Sequence, residues 1–443
     1  MGKFMSTFAG QLSLARLRGL LLEFRTSKQM RLTVLSMGLR GATMVLGFFN
    51  NLMLARWLSP SLLGSSASVT GLMAFHGLFT TLNQDNELIR RLRPVNPSIS
   101  YMLRKVHAFR MLRSIIAAGV LISIMGFWAK LSGVQMISGF IMLTALNCTP
   151  WWILGVRGDY TPQYVLMFFQ SMLTFGLFAT GQHFFPNAPA GSDLTVYAIA
   201  YVFANLGIAV ILARMNQGKA DEPISTQRLV MDKSLLVMGI IITIYSGSDV
   251  LLASRLCSNH DAGIYRVAAT IVSAVNSLWL VAQANVYPQL VHGKEGVPEW
   301  TSTRGLRVWI VGALGLGFAA SALALIVRLI LGARYDGIVG IAAILGLAKT
   351  IGFIDAFWGL RMNAAGMNKE VLKVVAVCGA TGVFSSFLLC HFQGPIGLAC
   401  GFLLAEMMML TGIFSLRGRL YTKAMHWKLE NELSANMAVH PAK

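Results

Sequence analysis

The sequence predicts an all-α polytopic membrane protein with twelve transmembrane helices, arranged as two six-helix lobes around a central cleft. Apolar residues make up 55% of the chain and charged residues only 12%, against roughly 25% charged residues in an ordinary globular protein. The charges cluster between long apolar runs, as they do in proteins that cross a bilayer repeatedly. A sequence repeat offset by about half the chain is the third observation, and it predicts two related lobes.

Each predicted helix is an apolar segment long enough to cross ~30 Å of hydrocarbon. Six segments precede the polar stretch 215–233, a predicted cytoplasmic linker, and six follow it, so the lobes occupy 35–214 and 234–416. Residues 1–34 are basic with interspersed apolar side chains, which predicts an amphipathic segment on the inner membrane surface or a loose tail. Residues 417–443 form a basic cytoplasmic tail. The segments lie at about 35–58, 62–82, 112–131, 134–154, 164–185, 194–212, 235–252, 264–285, 307–331, 337–360, 372–390 and 395–416.

The distribution of Lys and Arg predicts that both termini face the cytoplasm. With twelve crossings, 29 of the 37 Lys and Arg residues fall on the side of the termini and six on the other side, while Arg40 and Lys349 lie inside helices. An excess of this kind marks the cytoplasmic side of a membrane protein. The loops on the other side are too short to form a folded outer domain.

Two helix-turn-helix stretches, 51–69 and 249–268, share one pattern. In both, a polar residue precedes an apolar run, a basic residue, a short turn and a glycine at the start of the next helix. Six helices per half give both halves the same orientation, which predicts a pseudo-two-fold axis along the membrane normal. The aligned positions are Asn51 with Asp249, Leu54-Ala55 with Leu252-Ala253, Leu58 with Leu256, and Gly64 with Gly263.

The sequence lacks the common motifs of enzyme active sites, so we predict that the chain is not an enzyme. It has no G-x-x-x-x-G-K-[ST] phosphate loop, no H-E-x-x-H zinc motif and no G-x-S-x-G nucleophile motif. The net charge of +19 does not indicate nucleic acid, since that partner requires a basic face on a soluble domain. Five cysteines lie in or beside apolar runs, which is typical of small apolar residues and not of a disulfide framework. We therefore expect no catalytic residue, no metal site and no bound cofactor.

Two cations inside predicted helices are candidate substrate-binding residues, because ionisable groups are costly in a membrane and usually functional there. Lys349 lies at the middle of the tenth segment, and Arg40 lies about a turn and a half inside the first. Lys349 could pair structurally with Glu406 of the twelfth segment, or it could face the cleft and attract an anionic substrate. Arg40 could extend to the inner interface, or it could meet a phosphate head group in the cleft.

Asp249, Asp355 and Glu406 are the candidate ion-coupling residues. A buried carboxylate has a raised affinity for protons, and ion coordination offsets the cost of its burial, so a coupling proton or sodium ion would suit these groups. Asp249 lies close to the outer end of its segment, where a solvated or helix-capping role is the alternative. Its alignment with Asn51 favours a structural role that both repeats share.

Amide and imidazole side chains at membrane depth predict hydrogen bonds between helices, although the same groups could line a sugar-binding cleft. These residues are His76, Asn50, Asn147, Gln170, Asn205, Asn276, Gln283 and Asn285.

Three motifs resemble segments of lipid-linked oligosaccharide flippases, which form part of the polysaccharide-transport branch of the multidrug/oligosaccharidyl-lipid/polysaccharide exporter superfamily. The first is LMLARWLSPSLLGSSASV from Leu52, and the second is DVLLASRLCSNHDAGIYRVAATIV from Asp249. The third is Val286-Tyr287-Pro288-Gln289-Leu290, just after the predicted eighth helix. The plan of twelve helices in two lobes is similar to that family over nearly the whole chain.

The resemblance implies a flippase that moves an undecaprenyl-diphosphate-linked oligosaccharide across a bacterial inner membrane by ion-coupled alternating access. Its cargo would serve the synthesis of O-antigen, and hence lipopolysaccharide, or of exopolysaccharide. The implied partners are the lipid-linked oligosaccharide, membrane lipids, and polysaccharide polymerase and chain-length proteins. A cleft cation such as Arg40 or Lys349 would suit the diphosphate. The alternative is a cation-coupled multidrug or small-molecule exporter of the same fold.

Overall fold

The computed structural model describes residues 28–81, 88, 92, 98–147, 149–157, 161–215, 233–292, 306–364, 367–416 and 418. Within these ranges the chain is helical and contains no strand, which confirms the predicted all-α membrane fold. Most of the predicted N-terminal segment, the linker and the C-terminal tail lie outside the described residues.

Every predicted segment lies on a helix, and we number the helices α1 to α12 after these segments. Four consist of more than one piece: α2 is interrupted at Ser66, α3 contains a π-helical turn, α4 is interrupted before Trp151, and α7 is bent. The helices are α1 (Lys28–Trp57), α2 (Pro60–Ser65 and Ala67–Thr81), α3 (Ile99–Met102, Leu103–His107 and Ala108–Ala129), α4 (Gly133–Asn147 and Trp151–Arg157), α5 (Thr161–Phe184), α6 (Ser192–Met215), α7 (Lys233–Gly247 and Asp249–Leu256), α8 (Asn259–His292), α9 (Leu306–Leu331), α10 (Ile338–Ala364), and α11 (368–393) with α12 (395–415), which together form the run Asn368–Ser415.

The number of membrane crossings is confirmed only in part. In the described part of the chain, eight helices are long and apolar enough to cross a membrane, or nine if the bent α7 counts as one span. The run that contains both α11 and α12 is one of the eight. Large apolar side chains such as Phe127 (92% exposed) and Phe318 (77% exposed) are left uncovered by the fold, as contact with lipid requires.

Two predicted boundaries are wrong. A third differs without a contradiction, since the described part of α1 already includes Lys28, ahead of the predicted apolar segment that starts at about 35. Helix α3 begins at Ile99 and not at 112, because the Ser98 hydroxyl accepts a hydrogen bond from the Tyr101 backbone N–H and caps an earlier turn. The motif that begins at Val286 lies inside α8 and not after it.

Two breaks divide long helical runs. Gly394 has φ 61° and ψ −142°, a conformation that only glycine adopts without strain, and Pro395 then begins α12, where its missing N–H removes no helical hydrogen bond. The two parts of α7 meet at an angle of 41°. This bend lies beside Ser248, directly before Asp249.

The two repeats contact each other at one end of the bundle, which we call the distal end: the end at which α1 finishes at Trp57 and α8 begins at Asn259. Gly64 packs against the Asn259 carbonyl, and Gly263 packs against the Pro60 carbonyl, so closely that a Cβ at either glycine would overlap with that carbonyl. Each aligned glycine thus meets the first residue of a helix in the other repeat. The repeat found in the sequence is therefore a reciprocal contact in the structure, whereas the arrangement of two lobes around a cleft stays a prediction.

Candidate functional site

A buried ion pair joins the two halves of the chain near the distal end. The Arg266 guanidinium on α8 lies 2.8 Å from the Asp193 carboxylate on α6 and donates a hydrogen bond of 2.9 Å to the Leu63 carbonyl of α2. The two charged side chains are 7% and 0% exposed. A buried pair of this kind is tolerated when further hydrogen bonds satisfy it. By segment order Arg266 is one of the six Lys and Arg residues on the side opposite the termini, and its place inside the segment 264–285 is the signal in the sequence for a buried role.

Tyr335 adds a second polar link between the halves. It lies in the 3-10 turn Ala333–Tyr335 between α9 and α10, and it is fully buried. Its hydroxyl donates to the Ala55 carbonyl at 3.0 Å and lies 3.3 Å from the Leu58 carbonyl, both at the end of α1. Together with the ion pair and the two glycine contacts, this link closes the distal end.

We expect Tyr335→Phe to open the distal end more often, because the variant loses a hydrogen bond between the halves worth about 0.5–1.5 kcal/mol. A cysteine introduced as Ala262→Cys, at a position that is fully buried in the closed arrangement, reports this opening in a chain whose native cysteines are serine. Its alkylation rate should rise about two- to tenfold. The control Ser321→Ala removes a hydrogen bond within α9 and should leave the rate unchanged; equal rates in both variants would contradict the role of Tyr335.

The structure brings Lys349 of α10 and Glu406 of α12 together. The Lys349 Nζ lies 4.0 Å from Glu406 Oε1 and 4.4 Å from the centroid of the Phe402 ring, one helical turn earlier on α12. A ring face at this distance attracts the ammonium group. The Lys349 side chain is 24% exposed, whereas the Glu406 side chain is 8% exposed.

Glu406 has two further side-chain partners, the Asp355 carboxyl and the Tyr245 hydroxyl. Tyr245 stacks on Phe402 with ring centroids 4.7 Å apart. Asp355 and Glu406 are only 8% and 6% exposed. Two adjacent carboxylates repel each other, and a bound proton or cation relieves that repulsion.

Asp249 begins the second part of α7 directly after the bend. Its Oδ1 accepts the Val250 backbone N–H at 2.7 Å, and its Oδ2 accepts the Tyr265 hydroxyl at 3.4 Å. The N-cap position of this part is Ser248 and not Asp249, so the capping role stays a prediction. Helix α7 continues beyond the bend to Leu256, so Asp249 does not lie at its outer end. The partly buried Asp249 carboxylate interacts electrostatically with Lys349.

Asp249 and Asn51, for which we predicted a shared structural role, make different hydrogen bonds. The Asn51 amide donates to the Gly47 carbonyl within the unbroken helix α1. The two aligned side chains thus have different partners, because only α7 is bent at this point.

All three candidate acids interact with one candidate cation, and Glu406 is the one paired with it at 4.0 Å. Asp249, Asp355 and Glu406 come from α7, α10 and α12, and each interacts electrostatically with Lys349. We call these four residues the carboxylate cluster. Among the described residues, no group of three or more His, Cys, Asp or Glu side chains is close enough together to hold a metal ion.

Arg40 lies apart from the carboxylate cluster, in the first half of the chain. The Arg40 Nη1 is 3.4 Å from the sulfur of Met167, which lies on α5. The Arg40 charge also interacts with Tyr164 of α5. The half-buried guanidinium therefore bridges α1 and α5.

Hydrogen bonds between helices are confirmed for three of the predicted polar side chains. Asn50 donates to the Ser171 carbonyl, Asn205 donates to the Ala145 carbonyl, and the His76 ring lies 2.9 Å from the Ser114 carbonyl. The side chains of Asn147, Gln283 and Asn285 lie outside the described part of the structure.

No protein-family model and no curated protein sequence matches the chain. Solved structures do share its fold. One is an inward-facing multidrug resistance MATE family transporter of the MOP superfamily, with 13% sequence identity, a TM-score of 0.59, and coverage of 89% of this chain and 99% of that one. Another is the MATE multidrug transporter DinF-BH, with 14% identity, a TM-score of 0.58, and coverage of 88% and 94%.

The lipid II flippase MurJ, in an inward closed conformation, is similar as well. It has 12% sequence identity and a TM-score of 0.54, and the match covers 87% of each chain. At such identities the likeness establishes the fold: the chain is a multi-pass membrane protein with the architecture of MATE transporters and MurJ.

Proposed function

We propose that the chain is an ion-coupled flippase or exporter that moves lipid-linked oligosaccharide across a membrane. The observation that carries this proposal is the carboxylate cluster, in which Lys349 pairs with Glu406 and interacts electrostatically with Asp249 and Asp355 within apolar helices. Charged groups in such helices are costly and usually belong to the pathway of a substrate or ion. A proton or sodium ion that binds Asp249, Asp355 or Glu406 would change the charge balance around Lys349.

The position of the cluster suggests how ion binding would couple to transport. Asp249 stands at the bend of α7, and the second part of α7 leads from there to the distal end. The cluster and the distal contacts thus share one helix. In alternating access, the contacts of Gly64, Gly263 and Arg266 must separate when the distal end opens, and a change of charge at Asp249 acts on the helix that has to move.

The substrate class rests on the resemblance carried by the motifs from Leu52, Asp249 and Val286. We propose an undecaprenyl-diphosphate-linked oligosaccharide as cargo, the bacterial inner membrane as location, and cytoplasmic termini. Arg40 and Lys349 are the cations proposed to meet the diphosphate, because a half-buried cation binds phosphate oxygens strongly. Polysaccharide polymerase and chain-length proteins would be the functional partners. The fold shared with a lipid II flippase supports a cargo of this kind.

A cation-coupled multidrug exporter is the second candidate. Two of the similar structures are MATE multidrug transporters, with TM-scores of 0.59 and 0.58, and this favours a small-molecule cargo. Drug susceptibility separates the two candidates, since an exporter of drugs would alter it and leave surface glycan unchanged.

Deletion of the protein tests the flippase directly. We expect lipid-linked repeat units to accumulate on the inner leaflet and surface polysaccharide to fall, and both effects should be reversed by the wild-type chain. Among the variants, Arg40→Ala should fail to restore transport at normal protein level, whereas Arg40→Lys, which keeps the charge, should restore part of it. Unchanged glycan and unchanged intermediates in the deletion strain would rule out the flippase.

A further inference from the structure

Two cysteines that are 133 residues apart in sequence meet at the distal end. The Sγ atoms of Cys257 and Cys390 are 3.4 Å apart. Cys257 directly follows the last residue of α7, and Cys390 lies in the last turn of α11. Cys257 is half-buried, while Cys390 is 2% exposed. The two sulfurs are in direct contact, as two cysteines must be before they can form a disulfide bond.

We propose that Cys257 and Cys390 form a disulfide bond in the mature protein. The proposal rests on the orientation proposed above, in which the distal end faces away from the reducing cytoplasm; disulfides persist in such compartments. It does not depend on the identity of the cargo.

The reaction is an exchange with the disulfide of an extracytoplasmic thiol oxidant. Cys257, the more exposed of the two, loses its proton and attacks that disulfide, which gives a mixed disulfide and releases one thiol of the oxidant. The Cys390 sulfur then loses its proton and displaces the second sulfur of the oxidant. The two cysteines together give up two electrons and two protons, and the oxidant becomes a dithiol.

The bond would fasten the second part of α7 to α11. Between these two helices lies an apolar groove of about 470 Å³, lined by residues that include Tyr245, Leu252 and Phe387. The sulfur pair lies at the distal end of that groove. A disulfide there would hold the distal ends of α7 and α11 together and restrict the part of α7 that begins with Asp249.

Counting thiols in the full chain tests the proposal. Membranes are quenched with acid, and the denatured protein is labelled with a polyethylene-glycol maleimide, which retards the chain on a gel for each thiol modified. Of the five cysteines, we expect three to be labelled without reductant and five after reduction. Cys257→Ser should show four labels under both conditions. The control Cys378→Ser, at a buried position elsewhere on α11, should show two and then four.

Five labels without reductant would overturn the proposal. So would a gain of two labels that persists in Cys257→Ser, because a different pair would then be bonded. The thiol count is independent of transport: five free thiols in a strain that flips its cargo normally would refute only the disulfide, whereas a disulfide in a protein whose deletion leaves glycan and lipid intermediates unchanged would refute only the flippase.

Discussion

Gly64→Ala should reduce transport roughly five- to hundredfold at normal protein level. The reason is that overpacking should destabilise the state that is closed at the distal end by about 1–3 kcal/mol. The new Cβ would overlap with the backbone carbonyl of Asn259. A backbone group at the start of a helix cannot rotate away as a side chain does, so α2 and α8 would have to separate. Gly263→Ala should have the same effect, because it meets the Pro60 carbonyl in the same way.

Gly119→Ala on α3 is the matched control. A Cβ at this position meets no atom within 4 Å, so the substitution should leave transport intact. Alkylation of the reporter Ala262→Cys should rise in both interface variants and stay at the wild-type rate in the control. Normal transport and a normal alkylation rate in Gly64→Ala would show that the closed distal end is not part of the transport cycle.

The sequence was sufficient to locate the helices but not all of their ends. Apolar length identified every segment, because a helix that crosses lipid must be apolar over most of its length. The start of α3 was misplaced because charged residues such as Arg104 and Lys105 are typical of a loop between spans, although the structure includes both in the π-helical turn. The bend of α7 also escaped detection, since no proline marks it.

The candidate site was predicted residue by residue but not as a unit. Ionisable side chains are energetically costly inside a membrane-spanning helix, and this identifies four residues one at a time. They are Asp249, Lys349, Asp355 and Glu406. The same reasoning offers the pairing of Lys349 with Glu406 as one of two alternatives, but it does not connect Asp249 of α7 with that pair, since these residues lie on different helices. For the same reason the sequence did not reveal the ion pair of Arg266 with Asp193, or the sulfur contact of Cys257 with Cys390.

The sequence repeat predicted the contact between the two halves better than it predicted the roles of the polar side chains. The alignment of Gly64 with Gly263 predicted two equivalent positions, and the structure uses both in equivalent contacts. The alignment of Asn51 with Asp249 predicted a shared role, yet only Asp249 stands at a bend and faces a cation. The two halves therefore keep the same contact with each other, while the charged groups differ between them.

Lys349→Met should lower both stability and transport. Loss of one partner of a buried ion pair costs about 3–5 kcal/mol, because the other charge is left uncompensated, and here three carboxyls would remain without a cation. We expect a clear fall in the unfolding temperature of the detergent-solubilised protein and a loss of transport of at least roughly tenfold, which corresponds to about 1.4 kcal/mol.

The double variant Lys349→Met/Glu406→Gln separates the two roles that Lys349 could have. It removes one charge of each sign, so the net charge of the carboxylate cluster returns to that of the wild type and the unfolding temperature should recover. Because Glu406 is itself proposed to bind the coupling ion, the double variant is compared with Glu406→Gln alone. If Lys349 is only the counterion of Glu406, the two variants should transport equally well. If Lys349 also binds the anionic part of the cargo, as we propose, the double variant should transport less although its fold is restored. Normal transport in the single variant would show that Lys349 has neither role.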